Sequence, residues 1–299
     1  MMVPPKNTKG PQPKFVEENL DYFREEKEGC FTFLSKQHPE TQQLLLNRTG
    51  VEIKELCTGA RTLEEIHAQL RARYSNVSSH TLRQDINNVI RSFWKLGLIE
   101  WIGSNPFSKM YAQKMGNTAE AYVATEEDVG EIVALLQKFG IPKEQEHLEH
   151  KKPFYENPVF PRDGYDETVI RQKIFFNTEG FFVSCEDHTL TGLVSLTFPN
   201  AWLPDRTTII GLMLKANGET PVVFFSKLFD FAVALLPSVL PPQIRCTKVK
   251  CLQLQDSENM ANERILDFLS AKGFSEEAKF KDELGWGKDL QVFSRWMLA

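Results

Sequence analysis

The residues best placed for chemistry surround one turn in the second half of the chain. The nearly continuous apolar run Thr207–Lys215 is typical of a strand buried on both faces, and Val222–Leu236 has helical spacing. Gly218 lies in the turn between them. Free backbone amides and the positive end of the helix dipole would face one spot there, which suits an anion such as a phosphate. Glu219 and Pro221 weaken this predicted anion site, because the first repels an anion and the second has no N–H.

Few groups near this strand can accept a proton. The strand contains no carboxylate, and Asp205, just before it, is the nearest one. His188 follows Asp187 in a predicted hairpin turn between Gly180–Cys185 and Leu190–Thr197. A turn beside central strands can face a reaction site, although turn residues more often serve the turn itself. Asp205 and His188 are therefore the two candidates for proton transfer.

Metal chemistry has little support in the sequence. The segment His147-Leu148-Glu149-His150 is one residue short of the inverted zinc-protease motif and lacks a distant third ligand, so a solvated charged loop explains it. The cysteines form no paired framework; they are Cys30, Cys57, Cys185, Cys246 and Cys251. We expect reduced, mostly buried thiols and no metal site.

Charge and hydropathy limit the class of protein. The net charge of −5 argues against a nucleic-acid binder, which usually has a basic excess. The longest apolar run, Phe229–Leu240, contains Asp230 and Pro237 and is too short to span a membrane. Met1–Lys14 has no apolar core of the kind found in signal peptides. We therefore expect a cytoplasmic protein with no membrane span and no nucleic-acid partner.

Strands and helices alternate along the second part of the chain. The predicted elements are, in order, strand Ala121–Ala124, helix Glu127–Phe139, a long loop Ile141–Gly164, helix Glu167–Phe176, the hairpin, strand Thr207–Lys215, helix Val222–Leu236, strand Ile244–Leu254, helix Met260–Ala271 and two strands within Ala278–Met297. This order predicts an α/β domain with a mixed central sheet over residues 120–299.

A different unit precedes this domain, with three short strands followed by three helices. The strands are predicted at Phe15–Phe23, Cys30–Leu34 and Gln42–Leu46, and the third helix at Ser79–Lys95. Asn47 caps the first helix, and Thr62 with Glu65 forms a capping box for the second. The pattern predicts a winged-helix-like domain over residues 15–102, after a disordered arm over 1–14 and before a linker over 103–119. The fold class of the whole chain is therefore α+β.

The first domain resembles the PqqD-like family. The resemblance lies in Leu46-Asn47-x-Thr49-Gly50, an apolar helix, Gly59-x-Arg61-Thr62 and Glu64-Glu65-Ile66, and it runs from about Phe15 to Ile102. Members of that family recognise the leader of a ribosomally made precursor peptide, which lies between the third strand and the third helix. The resemblance therefore implies strand addition at an open sheet edge. The implied peptide-binding residues are Gln42, Gln43, Leu44, Leu45, Leu46, Arg83, Asn87, Ile90, Arg91 and Trp94.

The second domain looks like a GNAT-type N-acyltransferase. The resemblance lies in the order of elements and in the tail, with Asn262, Leu266, Gly273-Phe274 and Asp289–Ser294. It implies an acyl thioester of coenzyme A or of a carrier protein as co-substrate. The implied donor-binding residues are Leu212, Met213, Leu214, Asn217, Gly218, Thr220, Val222, Val223 and Asn262. The sequence departs from the family at the phosphate loop, which keeps only Gly218, and at Leu269, where the family has a tyrosine general acid.

Together the two resemblances imply an enzyme that matures a ribosomally made peptide. The first domain would hold the leader, and the second would transfer an acyl group, favouring a fatty acyl group, to an amine of the core peptide. Two alternatives stay open: a non-catalytic peptide chaperone with a lapsed second domain, and a winged-helix regulator that senses an acyl thioester. The acidic balance of the chain counts against the regulator.

Overall fold

The chain forms two compact units, Met1–Ser108 and Lys109–Ala299. The computed structural model describes residues 10–41, 43–116, 118–139, 153–159, 164–199, 206–216, 221–240, 244–256, 263–285 and 287–297. The division between the units falls inside the predicted linker over residues 103–119. The last part of that stretch belongs to the second unit, because Gln113–Lys114 pairs with its sheet.

The first unit contains two small antiparallel sheets. Strands β1 (Gln12–Phe15) and β5 (Ile99–Ile102) form one of them. Strands β2 (Leu20–Lys27), β3 (Cys30–Ser35) and β4 (Leu44–Asn47) form the other, in the order β2-β3-β4.

The start of the chain corrects two predictions. A single strand over Phe15–Phe23 is wrong, because Glu17–Asn19 is a 3-10 turn that separates β1 from β2. The predicted disordered arm is ordered over Gln12–Lys14, because these residues pair with β5.

Three helices follow the strands of the first unit, namely α1 (Arg48–Leu56), α2 (Leu63–Arg73) and α3 (Ser79–Lys95). Both predicted helix starts are confirmed. The Gly50 amide donates to Asn47 Oδ1 at 3.0 Å. The Glu65 amide donates to Thr62 Oγ1 at 3.2 Å, while the Thr62 amide donates to Glu65 Oε2 at 2.7 Å. These side chains satisfy amides that the first helical turns leave without partners.

Aromatic side chains join the first sheets to α3. The Phe93 ring lies 5.1 Å from Phe33 of β3 and 5.2 Å from Phe15 of β1, in edge-on geometry. Trp94, on the next position of the helix, packs against Phe107 at 5.9 Å. Such pairs add about 0.5–1.5 kcal/mol each beyond the burial of their area. Helix α3 therefore packs against both sheets of this unit.

The second unit is built on one mixed sheet. Its strands are β6 (Gln113–Lys114), β7 (Glu120–Val123), β8 (Tyr155–Glu156), β9 (Glu179–Glu186), β10 (Thr189–Thr197), β11 (Thr207–Lys215), β12 (Lys248–Asp256), β13 (Ser275–Phe280) and β14 (Lys288–Trp296). The spatial order is β13-β14-β12-β11-β10-β9-β7-β6, and β8 pairs separately with β11. Neighbouring strands are antiparallel except for β11 and β12, which are parallel. The predicted mixed central sheet is therefore confirmed.

Helices cover both faces of this sheet. The helices are α4 (Val129–Gln137), α5 (Glu167–Phe175), α6 (Pro221–Val239) and α7 (Glu263–Ala271). Helices α4 and α5 share a core with Phe181 and Val183, whereas α6 and α7 share a core with Phe182. Because successive side chains of a strand point to opposite faces, the two helix pairs lie on opposite sides of the sheet.

Within the described residues, one helical stretch, Val222–Val239 of α6, has the length and hydropathy of a membrane span. Its side chains Phe225, Leu228 and Phe229 are fully buried in the core that α6 shares with the sheet. A core helix of a globular unit meets the same criteria of length and composition. Packing therefore accounts for this buried face of α6, and 28% of the stretch is buried in all.

Candidate functional site

The two parallel strands of the second unit separate soon after they meet. Strands β11 and β12 pair only from Thr207 with Lys248 to Ile209 with Lys250. Both strands continue beyond this point, β11 to Lys215 and β12 to Asp256. A gap therefore opens in the middle of the sheet, and the edge of β11 from Ile210 onward faces it.

A β-bulge lies in β11 beside this gap. The pairing with β10 changes register between Val194, opposite Met213, and Leu196, opposite Ile210. Two residues of β11, Gly211 and Leu212, consequently oppose the single residue Ser195. The Leu212 amide donates to the Ser195 hydroxyl at 2.9 Å. Bulges of this kind redirect side chains and are frequent next to active sites.

A buried carboxylate lies directly against the bulge. Glu179, the first residue of β9, is 1% exposed. A Cβ atom added at Gly211 would lie 2.5 Å from Glu179 Oε1 and 2.5 Å from Ser195 Oγ. The Glu179 carboxylate therefore occupies the space that a side chain at position 211 would fill.

Two side chains neutralise and orient this carboxylate. The Tyr165 hydroxyl donates to both carboxylate oxygens, at 2.9 and 3.0 Å, and Lys173 Nζ lies 2.5 Å from Oε2. The ammonium of Lys173 also lies 4.6 Å from the centre of the Tyr165 ring. Burial, with the negative charge of Glu179 as a second cause, raises the pKa of Tyr165 well above its ordinary value. Tyr165 therefore remains a hydrogen-bond donor at every physiological pH.

A short segment of the chain fills the gap between β11 and β12. We call it the strap, Phe154–Asn157. Its backbone amides donate to β11, from Phe154 to the Met213 carbonyl at 3.1 Å and from Asn157 to the Gly211 carbonyl at 2.9 Å.

Two strap side chains complete this attachment. The Asn157 side chain donates to the Ile210 carbonyl of β11 at 3.2 Å. The Tyr155 hydroxyl donates to the Leu252 carbonyl of β12 at 2.8 Å and accepts from the Leu252 amide at 3.2 Å. One segment therefore joins the two strands where they no longer contact each other.

The predicted donor-binding residues are only partly described. Leu212, Met213 and Leu214 are fully buried, and the strap pairs with the edge of β11 at Leu212 and Met213. At the start of α6, Val222 is half-buried and packs on the core, while Val223 is 55% exposed. The predicted residues Asn217, Gly218, Thr220 and Asn262 lie outside the described residues.

Of the two predicted proton-transfer residues, only His188 is described, and it does not lie at the bulge. Asp205 lies outside the described residues. His188 is exposed in the turn between β9 and β10, where its φ of 63° follows the φ of 46° at Asp187. At about 3.3 Å per residue, His188 lies roughly 23 Å along β10 from Ser195. Leu269 of α7, at the position where the GNAT family has a tyrosine general acid, is buried in the core.

Sequence reasoning missed Glu179 and Tyr165. The available signal was a carboxylate placed directly before Gly180, Phe181 and Phe182, at the start of a strand buried on both faces. A charge in such a position needs partners, because burying an unpaired carboxylate is costly. Neither partner is a strand neighbour, so the local pattern did not identify them.

The predicted peptide-binding strand lies at the edge of its sheet. Strand β4 pairs with β3 on one side, and within the described part of the chain no strand pairs with its other side. Leu45 is 61% exposed, whereas Leu44 and Leu46 are half-buried. Gln43 is exposed, and Gln42 lies outside the described residues. The edge therefore offers free backbone groups beside an exposed leucine.

The predicted α3 residues divide into exposed and buried groups. Asn87 and Arg91 are half-exposed, and Arg91 Nε is buried without a hydrogen-bond partner among the described groups. Arg83 forms a two-pronged pair with Glu64 at 2.5 and 2.8 Å, which lowers the pKa of that carboxyl. Ile90 and Trp94 instead belong to the core, where Trp94 is 7% exposed. Their side chains therefore pack inside the unit and not on its exposed surface.

Among the described residues, no group of three or more His, Cys, Asp or Glu side chains is arranged to hold a metal ion. The predicted charged loop with His147 and His150 lies outside them.

Comparison with protein families finds a match within the first unit. Residues 37–99 match the family model of coenzyme PQQ synthesis protein D (PqqD). The PqqD match includes β4, α1, α2 and α3, and all the predicted peptide-binding residues lie within the matched range. No curated protein sequence matches the chain significantly.

Solved structures of acetyltransferases are similar to the larger part of the chain. An N-acetyltransferase from Staphylococcus aureus matches with 16% identity and a TM-score of 0.43, over 60% of this chain and 98% of its own. The ribosomal-protein-S5-alanine acetyltransferase from Vibrio fischeri matches with 16% identity and a TM-score of 0.42, over 62% and 96%. RimL, a ribosomal L7/L12 alpha-N-protein acetyltransferase in complex with coenzyme A, matches with 14% identity and a TM-score of 0.42, over 62% and 98%.

Proposed function

We propose that this chain binds the leader of a ribosomally made precursor peptide through its first unit and acylates an amine of that peptide through its second unit. The donor is an acyl thioester of coenzyme A or of a carrier protein, and the reaction takes place in the cytoplasm. The observation that carries the proposal is the bulge of β11 beside the gap between two diverging parallel strands.

Peptide binding is supported by the edge of β4. An extended leader adds to this edge through backbone hydrogen bonds, and Leu45 supplies an apolar contact. Asn87 and Arg91 of α3 offer polar groups for selecting side chains of the leader. The match of residues 37–99 to the PqqD family supports this assignment.

Donor binding is supported by the strap itself. The carbonyls of Gly211 and Met213 already accept hydrogen bonds from an extended, amide-bearing segment in the gap. The pantetheine arm of an acyl thioester is also extended and carries amides, so it can replace the strap along the same edge. The strap must leave β11 before a donor can occupy this position, and donor and strap therefore compete.

Long acyl chains are the preferred donors. The predicted phosphate site after β11 contains Glu219 and Pro221, which weaken its hold on coenzyme A. Each methylene buried with the acyl chain contributes about 0.8 kcal/mol, so a fatty chain can compensate where acetyl cannot. Binding of the leader raises the effective concentration of the amine at the second unit, which helps a weak active site.

A series of acyl-coenzyme A donors, from acetyl to palmitoyl, tests the proposal. The acceptors are candidate precursor peptides, each synthesised with its leader, and mass spectrometry detects the acylated product. Transfer that increases with chain length is the expected result. A preference for acetyl would contradict the argument from chain length, and no transfer from any donor would contradict the enzymatic function.

A second function, a non-catalytic peptide carrier, is favoured by one observation. The strap fills the gap in which a donor would lie and makes hydrogen bonds to both β11 and β12. If the strap never leaves, the second unit binds no thioester. Replacing Asn157 with alanine removes its side-chain bond to the Ile210 carbonyl and weakens the strap. An acyltransferase then binds octanoyl-coenzyme A more tightly in calorimetry, whereas a carrier binds none in either form.

A further inference from the structure

We propose that Glu179 is the group that accepts the proton from the attacking amine. This inference rests on the proposed acyl transfer and names its catalytic base. The strand beside the gap carries no carboxylate of its own, since β11 runs Thr-Thr-Ile-Ile-Gly-Leu-Met-Leu-Lys. Strand β9 supplies a carboxylate at the bulge, that of Glu179.

Position is the first argument. The thioester carbonyl of a donor lying along β11 would come next to Gly211 and Leu212, where the bulge opens the strand. Glu179 Oε1 lies where the Cβ of a residue at 211 would otherwise be. The carboxylate therefore reaches the bulge from β9, two strands away, through the space that the glycine leaves.

The arrangement of polar groups around the bulge is the second argument. Several elements bring polar groups to the bulge: β9 contributes Glu179, β10 contributes Ser195, and α5 contributes Lys173, with Tyr165 just before that helix. A carboxylate that served only to hold α5 on the sheet would not need a glycine and a bulge opposite it. The other buried residues of β9 and β10 are apolar or small, so this carboxylate is an exception that a function explains.

Charge is the third argument. Lys173 places a positive charge 2.5 Å from Glu179 Oε2, while Tyr165 fixes the orientation of the carboxylate by donating to both oxygens. The groups that act on Glu179 are therefore Lys173 from α5 and the phenol of Tyr165, and the Ser195 hydroxyl lies across Gly211. Glu156 of the strap contributes its charge to the surroundings of Tyr165.

The step balances as follows. The neutral amine attacks the thioester carbonyl, a C–N bond forms, and the proton lost from nitrogen passes to the Glu179 carboxylate. The C–S bond breaks with its electron pair on sulfur, and the thiolate takes a proton from water. Glu179 then returns its proton to solvent. No oxidant or metal is required, and Lys173 and Tyr165 act as positioning residues.

The test is the pH profile of acyl transfer by the full chain, with palmitoyl-coenzyme A and a leader-bearing peptide as substrates. For wild type we expect activity to fall at acid pH as the base becomes protonated. Glu179→Gln should lower kcat about 100-fold or more and abolish this acid limb. Glu120→Gln is the matched control, because Glu120 is also paired with a lysine, at 3.4 Å, but its side chain is 42% exposed. It should leave both the rate and the profile unchanged.

A second variant keeps the inference testable if Glu179→Gln does not fold. Lys173→Met removes the cation beside Glu179 but leaves the carboxylate, so the acid limb should move to higher pH. Lys279→Met, which breaks the exposed pair with Asp289 at 3.1 Å, should not move it.

Two results would overturn the assignment. One is Glu179→Gln with a wild-type rate and profile, and the other is Lys173→Met with an unmoved acid limb. In either case wild type would still transfer acyl groups, so the proposed function would stand. If wild type itself transferred nothing, the proposed function would fail and this inference with it.

Discussion

Replacing Gly211 with alanine should destabilise the second unit. The backbone of Gly211 is not in the left-handed region, so alanine can adopt it without strain. The new methyl carbon would nevertheless lie 2.5 Å from Glu179 Oε1 and from Ser195 Oγ, and 3.1 Å from the Tyr165 hydroxyl. Glu179 and Ser195 cannot move freely, because each is buried and held by a hydrogen bond.

The size of the effect follows from two opposing contributions. Overpacking of a buried site costs about 1–3 kcal/mol. Alanine also lowers the conformational entropy of the unfolded chain relative to glycine, which offsets this cost by about 0.4–1 kcal/mol. The net loss should be about 1–2 kcal/mol, which for a unit of this size lowers the melting temperature by about 2–8 °C.

Differential scanning calorimetry of the full chain measures this shift. Gly130→Ala is the matched control, because Gly130 lies in α4 and an added Cβ would contact nothing within 4 Å. That change should raise stability by about 0.5–1 kcal/mol, as expected for a glycine inside a helix. A Gly211→Ala protein as stable as wild type would show that Glu179 and Ser195 do not lie against the bulge.

Three other predictions concern separate parts of the molecule. Leu45→Asp on the exposed edge of β4 should weaken leader binding by about 1–3 kcal/mol in a fluorescence-anisotropy titration. Leu34 lies on β3, so Leu34→Asp would not test this edge. Burial raises the pKa of Cys57 and of Cys251 to about 12, so maleimide should label the half-exposed Cys30 and Cys246 first, as peptide mapping by mass spectrometry will show. Hydrogen bonding to Lys248 lowers the pKa of Glu277 below 4.5, so its stabilising effect is present above about pH 4.5 and is lost as the pH falls through the lower, folded value. The melting temperatures of wild type and Glu277→Gln should therefore differ at pH 7 and converge at acid pH; a constant difference would contradict the pairing.

Local signals account for the elements that the sequence predicted well. Asn47 and Thr62 lie immediately before α1 and α2, and a capping side chain acts only on the turn that follows it. Helix α3 occupies the predicted range Ser79–Lys95, because its apolar residues recur at helical spacing. Strand β11 likewise occupies Thr207–Lys215, as its apolar run indicated.

Long-range contacts account for what was missed. Strand β1 forms only by pairing with β5, at the far end of the first unit, so nothing near Gln12 marks it as a strand. The strap contains a two-residue strand, and its partner Met213 is far along the chain from Tyr155. No periodicity can appear in so short an element.

The sequence indicated strand β11 but not the residues around its bulge. A buried strand precedes a helix there, which predicted a site in the turn after β11, whereas the bulge lies within the strand. Glu179 can be recognised as a candidate only from its three-dimensional contacts with Tyr165, Lys173 and Gly211. The burial of Trp94 was hidden from the sequence for a similar reason, since its partner Phe107 lies in the stretch predicted as a linker.

The most direct test of the central claim compares acyl transfer to one peptide with and without its leader. The full chain is incubated with palmitoyl-coenzyme A, and the intact mass of each peptide is followed over time. If the first unit holds the substrate for the second, the leader-bearing peptide gains an acyl group much faster, and Leu45→Asp removes this advantage. Equal rates with and without the leader, or no mass gain in either peptide, would contradict the account.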